Sequence, residues 1–510
     1  MNWANVFSWL VPLAFVTAVG ASVGSLLNVV AYRMPLGMGL VWPPSACPRC
    51  GTRLGVRDNV PVLGWLMLGG RCRYCRSRIS VEYPLVELLV AVLFGGLFAL
   101  YYVVPAGADV LGVAVGQVRA GWAEHRPFGA VGNVGQTWPL FVCVAGLFAC
   151  LVGMTLTDAK TYTIPMELTW VAVGLGVACH LGLAVWVGAF WGSPGGAAGT
   201  VGAAGTVGAG GEPAGLLVHT DGWRWAIPLP GEPVSVAAQT VLGALGRGLA
   251  RPTQPQLLAA ARAAAAPEAW AWIGLSLGGV AGVLVSNALL RAGLIARSFA
   301  DYDQWEASAI AEAQTQSAAA APAAGAAPTT PGIEPAQETR ASDPELWIAY
   351  PHARREMVKE AAFLGPIVLL GLVGAVVTRW LTADSWPPLW LHVAGGVAMG
   401  YLIGGATVWL VRIGGSIAFN KEAMGMGDVH LMAAVGACLG WIDAVVAFFG
   451  AAGVGLVWVV LSRALAGSTA RALPYGPFLA VSTVLVVLLR PWLEQLLGVM
   501  LGEPGPFQLP

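Results

Sequence analysis

Two apolar runs flank the sequence Lys421-Glu-Ala-Met-Gly-Met-Gly-Asp428. This segment places Asp428 at the start of a predicted membrane helix. A second acid, Asp158, ends an earlier apolar run. An ionised side chain costs about 2.5–3.5 kcal/mol at the centre of a membrane helix, so acids at these positions indicate a functional site.

The composition is typical of a membrane protein. Charged residues make up 11% of the 510 residues, against about 25% in a typical soluble domain. Residues 1–30 contain no Lys or Arg ahead of their apolar stretch, which favours a retained first span over a cleaved signal peptide. The net charge of zero gives no indication of a nucleic-acid partner, and nothing in the sequence indicates an oligomeric state.

Apolar runs of about 20 residues can cross a bilayer core of about 30 Å. We therefore predict an all-α, polytopic transmembrane bundle of about ten spans in a lipid bilayer. The predicted spans lie near 8–31, 83–104, 138–157, 166–191, 270–292, 361–379, 388–411, 429–441, 444–462 and 473–490. The run 429–441 reaches only about 20 Å, which requires a thinned bilayer or a water-filled recess beside Asp428.

The loop after the first span is rich in arginine, and the positive-inside rule assigns it to the cytosol. Its arginines are Arg33, Arg49, Arg53, Arg57, Arg71, Arg73, Arg76 and Arg78. Counting the crossings from an outside N-terminus puts Asp158 and Asp428 on the same cytosolic side.

The predicted organisation is one polytopic domain with a long insertion. The segments are a first span at 1–31, a cytosolic loop at 32–82, membrane core at 83–191, the insertion at 192–380 and membrane core at 381–510. Within the insertion, 192–215 and 308–344 have the low-complexity composition of flexible linkers.

The cytosolic loop contains two Cys-x-x-Cys pairs. They are Cys47, Cys50, Cys72 and Cys75. Each pair can supply two thiolates to one tetrahedral zinc ion, which predicts a structural zinc site. The alternative is a pair of redox-active dithiols, which a cytosolic location disfavours. The remaining cysteines lie in apolar runs and are predicted core residues.

Both acids also have simpler explanations. Asp158 precedes Lys160 and Pro165, so it is placed to pair with that lysine or to cap the next helix. Asp428 is placed to interact with a helix macrodipole. Gly425 and Gly427 make the second setting less ordinary, because residues without Cβ atoms permit a sharp turn and the close approach of another chain.

Two neighbouring carboxylates support hydrolysis without a metal or a nucleophilic side chain. One ionised acid takes a proton from water, while its protonated partner polarises a carbonyl group and later protonates the leaving amine. The two acids are expected to titrate as one unit.

Six elements in order resemble the type IV prepilin peptidases, which belong to the GxGD membrane aspartic peptidases. The elements are Gly20-Ala-Ser-Val-Gly24…Pro35, the cysteine loop with Asn59-Val-Pro61, Tyr83-Pro84-Leu-Val-Glu87, Asp158…Ile164-Pro165, Gly425-Met-Gly427-Asp428 with Gly440-Trp441, and Leu473-Pro474-Tyr475-Gly476-Pro477-Phe478.

The resemblance implies a specific activity. Members of the family are multi-pass proteins of the bacterial inner membrane that cut the leader peptide from prepilins or from type II secretion pseudopilins at the cytosolic face. Many also methylate the new N-terminus with S-adenosylmethionine. Carried over by position, Asp158 and Asp428 are the catalytic pair, Gly425 and Gly427 support the motif, and the four loop cysteines bind zinc. No residues are identified for the methyl donor.

The chain also departs from the family pattern. The family usually has Lys two residues after the second acid, whereas this chain has His430, and Met166 and Glu167 follow the Ile164-Pro165 element. Typical members have eight spans. The two extra spans, near 270–292 and 361–379, preserve the sidedness of both acids because they are even in number.

Other functions fit part of the pattern. A polytopic transporter would also place acids and broken helices at depth, with Asp428 coupling ions. A zinc-dependent membrane scaffold would not need either acid. The side chains of Asn28, Arg33, Glu82 and Glu87 either line a cofactor or leader pocket or serve helix packing and interface anchoring.

Overall fold

Helices dominate the computed structural model of the chain. It describes residues 3–42, 44–104, 109–110, 113–114, 134–191, 254–302, 304–305, 308–309, 311–312, 350–381, 387–466 and 474–501. The helices are α1 (Trp3–Arg33), α2 (Leu63–Met67), α3 (Glu82–Phe98), α4 (Val134–Thr161), α5 (Met166–Trp191), α6 (Gln254–Arg291), α7 (Ala353–Leu381), α8 (Leu389–Phe419), α9 (Met426–Leu439), α10 (Trp441–Ala466) and α11 (Gly476–Leu501). Two antiparallel strands, β1 (Asp109–Val110) and β2 (Val113–Ala114), are the strands among these residues.

The predicted all-α polytopic bundle is confirmed. Among the described residues, eight helices are long and apolar enough to cross a membrane. These spans are Trp9–Arg33, Glu82–Val103, Trp138–Thr161, Met166–Val185, Ala269–Arg291, Ala353–Leu381, Trp390–Phe419 and Trp441–Leu465. The other two predicted spans correspond to shorter apolar helices, Met426–Leu439 and Gly476–Arg490. The chain is a multi-pass membrane protein.

Helix α9 lies at the centre of the bundle. Residues 431–440 are all buried, and the helix packs against α4, α5, α8, α10 and α11. Its contact with α8 is a backbone contact, because a Cβ atom at Gly436 would clash with the carbonyl oxygen of Gly400. Helix α9, which carries Asp428 in its first turn, is therefore surrounded by other helices.

Helices α6 and α7 form a close pair within the predicted insertion. Glycines bring the two backbones together, since a Cβ atom at Gly274 would clash with Gly374 and one at Gly278 with the carbonyl of Leu370. Helix α7 begins at Ala353, eight residues before the predicted span at 361–379. The difference arises because Glu356 and Glu360 are buried with partners in the first turns. The predicted linker 192–215 lies outside the described residues, as does nearly all of 308–344.

Candidate active site

The first acid, Asp158, lies near the end of α4 and is 5% exposed. Its carboxylate accepts a hydrogen bond from the backbone N–H of Gly476, at the start of α11. Lys160 instead forms an ion pair with Glu82 of α3. The alternative in which Asp158 pairs with Lys160 is therefore not the arrangement in the structure.

The second acid, Asp428, lies in the first turn of α9 and is 8% exposed. Gly425 precedes this helix with φ −69° and ψ 148°, an extended conformation open to any residue. The expected sharp turn at glycine is absent, since neither Gly425 nor Gly427 has a positive φ. Gly427 is closely packed within the chain itself, since a Cβ atom there would lie 2.9 Å from the Cβ atom of Ile164; the approach of another chain stays a prediction.

The two acids face the same small volume. Asp158 and Asp428 lie close enough to interact electrostatically. A Cβ atom at Gly476 would lie 2.5 Å from Oδ2 of Asp158 and 3.4 Å from Cδ1 of Ile164, and Ile164 also packs against Gly427, the residue before Asp428. Helix ends far apart in sequence thus converge on one pair of carboxylates, which is the arrangement that general acid–base chemistry on water requires.

Two further polar residues, Tyr475 and Arg412, lie near the pair. Tyr475 interacts electrostatically with Asp428, and its hydroxyl donates to the carbonyl of Phe448 at 3.3 Å. Arg412 of α8 also interacts with Asp428 and is only 2% exposed. Neither residue was predicted at the site from the sequence. The signal for Arg412 was available, because a charged residue within an apolar run of α8 is itself an indication of function.

The four loop cysteines form a candidate metal centre. Their Sγ atoms all lie within 4.8 Å of one another, and those of Cys47 and Cys75 are 3.8 Å apart. Four sulfurs at about 2.3 Å from a tetrahedral zinc ion lie about 3.8 Å apart, so the geometry fits that ion. Hydrogen bonds from the backbone N–H groups of Cys50 and Arg49 lower the pKa of Cys47 to about 6, which favours the thiolate that binds metal.

The cysteine loop is tied to the helices beside the acids. Glu87 of α3 accepts the backbone N–H of Val62 at 2.6 Å, and Arg33 donates to the carbonyl of Gly39 at 3.0 Å. The amide of Asn28 donates to the carbonyl of Tyr83 at 3.1 Å. Together with the Lys160 ion pair of Glu82, these contacts give all four candidate pocket residues structural partners at the same end of the bundle.

The described residues were also compared with the pattern of a nucleotide-type site. Among the described residues the strands are β1 and β2, which are two residues long each, so no glycine-rich loop runs from a strand into a helix there. A methyl-donor site therefore remains unassigned.

Comparison with known proteins shows which family the sequence resembles. Residues 18–101 match the model of the Bacterial Peptidase A24 N-terminal domain. Over 96 residues, 18% of the chain, the sequence is 48% identical to a Prepilin leader peptidase/N-methyltransferase of Myxococcus xanthus. The resemblance to the type IV prepilin peptidases is confirmed.

Two further relatives carry the same name. One from Burkholderia pseudomallei is 31% identical over 194 residues, 33% of this chain. One from Pseudomonas aeruginosa is 41% identical over 110 residues, 16% of this chain. The chain spans 29% of the Myxococcus relative, 52% of the Burkholderia relative and 38% of the Pseudomonas relative. No solved structure matches the chain.

Proposed function

We propose that this protein is a membrane aspartic endopeptidase that removes the leader peptide from type IV prepilins or type II secretion pseudopilins. One observation carries the proposal: Asp158 and Asp428, 270 residues apart in sequence, lie at one end of the bundle close enough to interact. The names of the relatives supply the substrate class.

The acid pair accounts for each proton in the cleavage. The ionised acid accepts a proton from water as the water oxygen bonds to the scissile carbonyl carbon, while the protonated acid donates a hydrogen bond to the carbonyl oxygen. The acid that was protonated at the start then transfers its proton to the amide nitrogen of the tetrahedral species, and the C–N bond breaks. The products are a carboxylic acid on the leader and a free amine on the mature pilin.

The arginine-rich loop supports a cytosolic site in the bacterial inner membrane. The loop is tied to the same end of the bundle as both acids, through Glu87 and through the ion pair between Glu82 and Lys160. Loops with this arginine content face the cytosol. A prepilin would present its short basic leader at that face.

A zinc ion in the cysteine loop would have a structural role. Cys47, Cys50, Cys72 and Cys75 would hold it, and the bound ion would fix the loop that rests on α3. Methylation of the new N-terminus with S-adenosylmethionine rests on the family resemblance and the names of the relatives.

The proposal is tested by incubating the purified full-length protein with a prepilin in detergent and measuring substrate mass. Wild type should remove the leader, and Asp158→Asn and Asp428→Asn should each abolish cleavage. Asp443→Asn is the matched control, because this buried acid contacts Arg490 rather than either site acid. Cleavage by both site variants at the wild-type rate would refute the acid-pair mechanism.

The same preparation tests the other activities. A mass gain of one methyl group on the cleaved product after addition of S-adenosylmethionine would establish the methyltransferase. The comparisons give the transporter alternative no support. Solute flux in proteoliposomes without prepilin cleavage would be required to revive it. A zinc-dependent scaffold would keep its function after loss of both acids.

A further inference from the structure

The first turns of α7, in the predicted insertion, contact the residues around the second acid. Glu360 of α7 is 1% exposed and accepts three hydrogen bonds. The donors are Nε of Arg412 at 3.0 Å, Nε1 of Trp409 at 2.6 Å and Oγ of Ser298 at 2.7 Å. The carboxylate of Glu360 thus holds the guanidinium of Arg412 from one side.

Arg412 extends this contact to the segment that leads into α9. Its Nη1 atom donates to Oε1 of Glu422 at 2.5 Å and to the carbonyl oxygen of Met424. Its guanidinium carbon lies 5.1 Å from the centre of the Phe299 ring. Met424 directly precedes Gly425, so Arg412 connects α7 to the backbone just ahead of the motif.

A second contact from the insertion holds the beginning of the same segment. The backbone N–H of Tyr350 donates to the carbonyl of Asn420 at 2.6 Å, where a left-handed conformation (φ 50°, ψ 40°) ends α8. The Tyr350 hydroxyl donates to Asp301 at 3.0 Å, and this hydrogen bond lowers the pKa of Asp301. Tyr350 of the predicted insertion thus holds the start of the segment 420–424, while its end is held by Arg412 of α8, which Glu360 contacts.

The negative charge of Glu360 matters because its partner, Arg412, is a buried cation. A buried guanidinium stays protonated and requires compensating partners. Within the part of the chain that the structure describes, Arg412 also interacts with the acids Glu422 and Asp428. Loss of the Glu360 charge would leave the guanidinium to be balanced by these two, and one of them belongs to the site.

We propose that Glu360 is a positioning residue, which acts through Arg412 to fix the segment 420–424 and so the place of Asp428 opposite Asp158. This inference rests on the proposed function. It assigns the insertion a part in the peptidase, because Glu360 lies in α7, within the predicted insertion 192–380.

The test compares two isosteric changes on one helix, Glu360→Gln and Glu356→Gln, in the full-length protein. Glu356 lies one turn earlier, is 2% exposed, and accepts the backbone N–H of Phe299 at 2.7 Å. It also accepts Lys359 at 2.7 Å, so its hydrogen bonds do not involve Arg412. We expect Glu360→Gln to lower kcat about tenfold with KM within about twofold of wild type, and Glu356→Gln to keep both values. Glu360→Asp keeps the charge and should recover part of the lost kcat.

A measurement independent of cleavage accompanies the kinetics. Hydrogen exchange of a peptide covering residues 420–427 should be faster in Glu360→Gln than in wild type and unchanged in Glu356→Gln.

Wild-type kcat and wild-type exchange in Glu360→Gln would overturn the positioning role, as would equal loss of kcat in both Gln variants. Failure of the wild-type protein to cleave any prepilin would instead refute the proposed function, and the exchange result alone would then decide whether Glu360 holds the segment. If Glu360→Gln does not fold, wild-type kcat in Glu360→Asp together with wild-type exchange overturns the inference.

Discussion

Replacement of Gly476 by alanine should disturb the acid pair without disturbing the fold. Gly476 begins α11, and a Cβ atom there would lie 2.5 Å from Oδ2 of Asp158. Real Cβ contacts are essentially never under 3.0 Å, so the carboxylate must move by at least 0.5 Å. Misplacement of a reacting group by about 1 Å costs about 100-fold in rate, which predicts a loss of about tenfold for half that distance.

The expected effect on stability is small. The atom that must move is the end of a side chain, and the alanine replaces glycine in the first turn of a helix. We expect the free energy of unfolding to change by less than about 1 kcal/mol. The assay is the initial rate of prepilin cleavage in detergent, with thermal unfolding of the same samples.

Gly455→Ala is the control for this change. Gly455 lies within α10, and a Cβ atom there would make only ordinary contacts, the nearest at 3.8 Å from the Phe478 ring. This variant should cleave at the wild-type rate. The reasoning fails if Gly476→Ala keeps the wild-type kcat, or if its activity falls only in step with its unfolding temperature.

Two other variants test the packing and the metal centre. Gly436→Ala should lower the free energy of unfolding by about 1–3 kcal/mol, because the new methyl group clashes with the backbone of α8. Gly453→Ala has open space and should lose nothing, so similar thermal unfolding of the two variants would contradict the predicted packing. Cys72→Ser should abolish the one zinc ion per chain that we expect in the purified wild-type protein, as measured by elemental analysis. Retention of full zinc occupancy by this variant would show that the ion is bound elsewhere.

The sequence predicted the features that depend on local pattern. Apolar runs located the helices, and the spacing of the Cys-x-x-Cys pairs identified four sulfurs that do lie together. The run at 429–441 was predicted to be short for a span, in need of a thinned bilayer or a water-filled recess, and α9 is 14 residues long. These patterns report on each segment separately, so they need no knowledge of tertiary contacts.

Distant contacts that carry no motif were not predicted. Asp158 stands two residues before Lys160, yet its hydrogen bond comes from Gly476, over 300 residues away. Glu360 and Arg412 are 52 residues apart and carry no motif. The predicted span at 361–379 left out the first turns of α7 because these turns are polar and the span was drawn from apolar residues alone.

The glycines that bring the backbones of α6 and α7 together have a consequence for how the protein is assembled. Helices whose backbones touch gain van der Waals contact and lose little side-chain freedom, which favours association inside lipid. The pair can therefore enter the bilayer as a preassembled hairpin, independent of the order in which its neighbours arrive. The pair then packs against α8, where the buried carboxylate of Glu360 meets the guanidinium of Arg412.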